Sequence, residues 1–142
     1  MLALESCRSM VGSAVEEKRR ILIVDDDRDS NHVIKILLEK VGPYRVLEES
    51  DATNAYQSAR NFRPDLIFLD VVMPEADGGD VAAKIEADPT LRTTPIIFLT
   101  ALVTKAEAKA GLLMQGHPIL AKPISIPELI NKIEENLPAH AV

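Results

Sequence analysis

Four apolar runs in this chain end on residues able to do polar chemistry. Ile21-Leu22-Ile23-Val24 runs into Asp25, Asp26 and Asp27, and Leu66-Ile67-Phe68-Leu69 stops on Asp70. Ile96-Ile97-Phe98-Leu99 ends on Thr100, and Ile119-Leu120-Ala121 on Lys122. Carboxylates brought within a few ångström raise one another's pKa, so a cluster of them is stable around a cation. Oxygen ligands without His or Cys favour a hard ion, and a small set completed by water and a phosphoryl oxygen suits Mg²⁺. Lys122 is then a counter-charge for one phosphoryl oxygen, and Thr100 a donor to another. Asp70, the central carboxylate, is the nucleophile of such a set and would form an acyl phosphate. Each residue alone has a plainer reading, since Asp after a strand is commonly a turn or cap residue. Five of them at the ends of four separate runs are poorly explained by chance. Asp29 and Ser30, just ahead of a helical stretch, read instead as capping residues.

The elements that must position these residues alternate strictly. The β-branched run 20–24 is followed by helical spacing in Val33, Ile34, Leu37, Leu38 and Val41, which predicts those five on an inward face, ended by Gly42-Pro43. A more charged strand, 44–48, belongs at a sheet edge. Asp51 to Phe62 reads as a helix with Ala55, Ala59 and Phe62 inward, stopped by Arg63-Pro64. Strand 66–69, a loop with Pro74, Gly78 and Gly79, and a short helix near 80–87 come next. Strand 96–99 precedes a capping box, Thr104-x-x-Glu107, and a helix. The last strand is 117–121. Ser125-x-x-Glu128 then opens a helix with Ile126, Leu129, Ile130, Ile133 and Leu137 on one face. Five strands, the inner ones apolar on both faces, alternating with five helices, predict an α/β fold with a doubly wound parallel sheet. Ligands of such folds sit at the carboxyl ends of the strands. The polar residues named above all lie there.

Composition narrows the function. A chain of 142 residues is one domain, and 46% hydrophobic with 27% charged residues excludes a mainly disordered one. We expect a poorly ordered extension over 1–18, the domain over 19–138, and a short tail over 139–142. The longest apolar runs are too short to span a bilayer. A single cysteine, Cys7, excludes an internal disulfide framework and a cysteine zinc cluster, and fits a reducing, cytoplasmic compartment. The 22 acidic residues outnumber the 16 basic ones, for a net charge of −6, which argues against nucleic acid as the partner.

The ordered set Ile21–Asp27, Pro64–Pro74, Ile97–Ala101 and Lys122-Pro123 resembles the receiver domain of two-component response regulators, from Ile21 to about Leu137. The resemblance implies a flavodoxin-like sheet with strand order 2-1-3-4-5. It implies Mg²⁺ held by Asp25, Asp26, Asp70 and the backbone carbonyl of Val72. It further implies transfer to Asp70 from a phosphohistidine on a sensor histidine kinase or a histidine phosphotransfer protein. Thr100 would turn inward to bond the phosphoryl group and so rearrange the face made by helix four, strand five and helix five. A cis Lys122–Pro123 bond also belongs to the pattern. One position departs from it: the usual aromatic three residues before the lysine is Ile119. Acceptor chemistry does not need that ring, but an aromatic switch does. His117, beside Pro118 and without a partner histidine, reads as an ordinary strand-start residue.

Three other functions fit the same residues less well. A Mg²⁺-dependent phosphohydrolase working through an aspartyl phosphate would place an acid/base Asp two residues after the nucleophile, where this chain has Val72. A degenerate receiver that only binds protein would lack an acidic residue or the lysine, and this chain has all of them. A flavin-binding protein of this topology would need glycines and hydroxyls after strand one. We therefore expect a phosphorylatable switch rather than an enzyme, either stand-alone or part of a larger regulator or hybrid kinase. The sequence leaves its output protein unspecified and points to no direct nucleic-acid or membrane contact.

Overall fold

The computed structural model describes residues 18–74 and 76–137. Apart from Lys18, the expected extension lies outside the described residues, as do residue 138 and the expected tail. The elements are β1 (Arg19–Val24), α1 (Arg28–Val41), β2 (Tyr44–Glu49), a 3₁₀ turn (Ala52–Asn54) and α2 (Ala55–Phe62). They continue with β3 (Leu66–Asp70), α3 (Gly78–Glu86), β4 (Ile96–Thr100), α4 (Lys105–Lys109), β5 (Leu113–Met114), β6 (His117–Ala121) and α5 (Ile126–Asn136). The sheet order is β2-β1-β3-β4-β6-β5. Its first five strands are parallel, and β5 pairs antiparallel with β6. The five parallel strands therefore follow the expected order 2-1-3-4-5, with the charged strand β2 at one edge.

The strands are apolar on both faces because both faces are covered. On one side Leu22, Val24, Ile67, Leu69, Ile96 and Phe98 share a core with Ala55, Ala59, Val81, Ala82 and Ile85 of α2 and α3. On the other, Ile21, Ile23, Leu66, Phe68, Ile97 and Leu99 pack with Leu38, Leu129 and Ile133 of α1 and α5. Register then fixes the rim. Val24 stands beside Leu69, Asp70 beside Leu99, and Thr100 beside Ala121. The residues at the strand ends are carried to the same edge.

Three expectations need correction. The sequence predicts five strands, and the structure adds β5. The turn Gln115-Gly116 takes positive φ at both residues, which closes a two-residue hairpin of only two pairs. The second correction concerns α1. Leu38 is fully buried, but Val33 is 53% and Val41 57% exposed, with Leu37 and Ile36 also facing out. The inner arc is taken instead by buried Asn31, which donates to the Asp25 carbonyl, and by Lys35, which donates to the Val46 carbonyl. Third, α1 is capped by Asp27, which accepts the Ser30 N–H; Asp29 lies in the first turn and Ser30 is the donor. The two capping boxes appear as expected, at Thr104 with Glu107 and at Ser125 with Glu128. Among the described residues, no helix is long and apolar enough to cross a membrane.

Candidate functional site

Each rim residue is placed by backbone that has little freedom. Asp25 directly follows β1, whose neighbours on both sides hold its path. Its Oδ1 accepts the Asp27 N–H at 3.0 Å, its carbonyl accepts Asn31 Nδ2 at 2.7 Å, and its Oδ2 accepts Lys122 Nζ at 2.8 Å. Asp70 closes the fully buried strand β3, and its Oδ1 lies 3.4 Å from the Val72 N–H and 3.5 Å from Lys122 Nζ. Thr100 closes β4; its Oγ1 accepts the Leu102 N–H at 3.0 Å, and its carbonyl accepts the Lys122 N–H at 2.8 Å. Asp25, Asp70 and Thr100 are buried, and Asp26 is exposed.

The electrostatics are unbalanced. Carboxylate oxygens of Asp25, Asp26 and Asp70 all lie within 4.8 Å of one another. Burial and then the charge of Asp25 push the Asp70 carboxyl up to about 6, against the pull of Lys122 and the Val72 N–H. Burial alone would make Lys122 easier to deprotonate. Its bond to Asp25 and the charges of Asp25 and Asp70 outweigh this and hold the ammonium above its ordinary value. Three carboxylates facing one ammonium leave an excess of negative charge that a divalent cation would neutralise. The donor set is all oxygen, which fits Mg²⁺.

The sequence-predicted residues Asp25, Asp26, Asp70, Thr100 and Lys122 thus come together on one rim, and Val72 opens the loop beside them. Val72 and Leu102 point outward, 62% and 74% exposed. Ile119 is buried one strand from Phe98, on the face that carries α2 and α3. The Lys122–Pro123 peptide is cis. His117 lies at the start of β6, the far end from Lys122, with its ring edge-on to Phe98 and bonded to Glu86.

Three supporting residues escape sequence reasoning. Asn31 anchors the Asp25 backbone from inside a helix whose apolar spacing masks it. Lys105 reaches the backbone on both sides of Lys122, a contact that no local pattern announces. Gly78 lies under the acceptor: its N–H donates to the Val71 carbonyl at 2.8 Å, and a Cβ there would stand 2.3 Å from the Asp70 carbonyl oxygen. Its signal was the Gly78-Gly79 pair at a helix start, where side chains usually cap.

The response regulator receiver domain model matches residues 21–134 of this chain. The chain belongs to that receiver family. DivK of Brucella anthropi, a polar-differentiation response regulator, is 31% identical over 121 residues, covering 84% of this chain and 96% of DivK. MtrA of Mycobacterium tuberculosis, a DNA-binding response regulator, is 32% identical over 120 residues. That match covers 84% of this chain and 51% of MtrA, so the chain spans about half the length of that relative. Among solved structures, the receiver domain of the sensor histidine kinase PA1611 from Pseudomonas aeruginosa PAO1 superposes with a TM-score of 0.70 at 31% identity. The match covers 84% of this chain and 97% of that domain, which was crystallised with a magnesium ion coordinated in its active site cleft.

Proposed function

We propose that this receiver takes a phosphoryl group onto Asp70, with Mg²⁺, and thereby switches its binding to another protein. The observation that carries the reading is the trio Asp25, Asp26 and Asp70 facing the single ammonium of Lys122. Asp25, Asp26, Asp70 and the Val72 carbonyl would hold the cation. Bound there, Mg²⁺ would neutralise phosphoryl oxygens and relieve the repulsion among the carboxylates.

The chain's own residues would do the rest. An Asp70 oxygen attacks the phosphorus of a phosphohistidine; the O–P bond forms as the N–P bond breaks, and the electron pair leaves with the imidazole. Lys122, 3.5 Å from Asp70 at rest, needs only a small swing to pair with a phosphoryl oxygen. Thr100 Oγ1 has a hydroxyl proton to donate to another. Because Thr100 also holds the Leu102 N–H, drawing it inward would pull on the loop that leads to α4. Buried Ile119 offers no ring to follow that motion, so this loop carries the switch.

The donor would be a sensor histidine kinase or a histidine phosphotransfer protein. Receivers occur inside a sensor kinase, as in PA1611, and in regulators named for DNA binding, as in MtrA. Either setting suits this domain, which we place over 19–138 and in the cytoplasm. We read it as a switch with self-catalysed transfer and self-dephosphorylation rather than an enzyme with a dissociable substrate. Incubation with p-nitrophenyl phosphate and Mg²⁺ separates the two. The switch reading expects product to appear no faster than the slow loss of the phosphoryl group from Asp70, and rapid sustained turnover would replace it with the phosphohydrolase reading.

A further inference from the structure

We propose that Lys105 is a positioning residue for Lys122. This rests on the phospho-acceptor reading above and adds a residue to it. β5 pairs with β6 only at His117 and Pro118, so the outer edge of β6 has no strand beside Ala121. Lys105, the first residue of α4, fills that place. Its ammonium donates to the Ala121 carbonyl at 2.7 Å, to the Pro123 carbonyl, and to the Glu128 carboxylate at 2.9 and 3.1 Å. These are the carbonyls on either side of Lys122. The Lys122 N–H is itself held by the Thr100 carbonyl at 2.8 Å. The root of Lys122 is therefore pinned on all sides by segment 100–105, the stretch that also carries Thr100.

The third partner is fixed as well. Glu128 accepts the Ser125 N–H at 2.9 Å and the Ser125 hydroxyl at 3.0 Å in the capping box of α5. An ammonium has three protons to give, and Lys105 gives them to three anchored acceptors on two elements. A lysine side chain is long and flexible, so the place of its charge depends on where its backbone starts. Misplacing a charge that must meet the transferring phosphoryl group slows the transfer even when the metal site is saturated.

The test compares wild type, Lys105→Met and Lys105→Arg for two quantities. One is the rate of phosphorylation by acetyl phosphate at saturating Mg²⁺, followed by intact mass. The other is the Mg²⁺ concentration that half-saturates the protein, measured by calorimetry. We expect Lys105→Met to accept the group roughly tenfold more slowly at saturating Mg²⁺, with a Mg²⁺ midpoint no weaker than that of wild type, and Lys105→Arg to recover most of the rate. Should Lys105→Met fail to fold, Glu128→Gln, which removes the charged anchor, is expected to slow acceptance several-fold, again with a midpoint no weaker than that of wild type. A folded Lys105→Met that reacts at the wild-type rate would overturn the proposal, and so would a Mg²⁺ midpoint weakened in step with the rate. Failure of wild type to accept any phosphoryl group would instead overturn the phospho-acceptor reading itself.

Discussion

Lys122 bonds the Asp25 carboxylate at 2.8 Å, across 97 residues of sequence, and stands 0.7 Å farther from Asp70, at 3.5 Å. The ammonium is thus tied first to the neighbour of the acceptor. This has a measurable consequence. In chelator, Lys122→Met leaves three carboxylates without their counter-charge, and we expect it to lose about 1 kcal/mol or more of stability to urea. Added Mg²⁺ should stabilise this variant more than it stabilises wild type. Equal gains in the two proteins would mean that Lys122 and the cation do not serve the same charge cluster.

The metal reading makes its own forecast about the exposed member of the trio. Mg²⁺ at millimolar concentration is expected to raise the melting temperature of wild type, because a ligand that binds only the folded state stabilises it by mass action. Asp26→Ala should abolish most of that rise. In chelator the variant is expected to melt at or above wild type, since one repelling charge is gone. A full Mg²⁺ response in Asp26→Ala would remove Asp26 from the site.

Acidity offers a check that needs no metal. The Asp70 carboxyl sits at about 6 in the folded chain, raised by burial and by Asp25, whereas an unfolded Asp lies near about 3.9. The folded state therefore binds this proton more tightly. Its contribution falls as pH rises from about 4 to about 6, and above that the full penalty of an ionised Asp70 remains. In chelator, Asp70→Asn is expected to gain stability relative to wild type as pH rises through this window. Parallel stability curves for the two proteins from about pH 4.5 to about pH 7 would contradict the assignment of the raised carboxyl.

The flanks of the site bear on how long the acyl phosphate would last. Val72 and Leu102 stand exposed at the rim and are both apolar. Neither side chain can orient a water by hydrogen bonding for attack on phosphorus. We expect slow loss of the phosphoryl group from wild type, and several-fold faster loss from the double variant Val72→Asn with Leu102→Glu. The measurement is decay of the labelled protein after removal of the donor. Unchanged decay would show that these side chains do not gate the water.

Much of this molecule is legible in its sequence, for physical reasons that differ by element. Strands β1, β3 and β4 are buried on both faces, so each appears as an unbroken apolar run with a polar stop. The stops Asp25, Asp70 and Thr100 are the site itself. Helix α1 is less transparent. Its apolar residues cover a wider arc than the sheet can bury, so spacing alone picks Val33 and Leu37, whereas the structure buries Asn31. Hairpin β5–β6 has two residue pairs, too few to leave a period. Lys105 and Gly78 act on residues 17 and 8 positions away through the folded chain, from one element to another, where no periodicity connects them. What sequence reasoning reads well is side chains at the ends of regular elements. What it misses is the side chains that hold those ends in place.

The acceptor assignment is tested most directly by intact mass of wild type and Asp70→Asn after incubation with acetyl phosphate and Mg²⁺. The amide is nearly the same shape as the carboxylate but is not a nucleophile, so the variant should fold and fail to react. We expect wild type to gain a single phosphoryl group that is lost at alkaline pH, as an acyl phosphate is, and the variant to gain none. A phosphoryl adduct of the same stoichiometry and lability on Asp70→Asn would contradict the assignment.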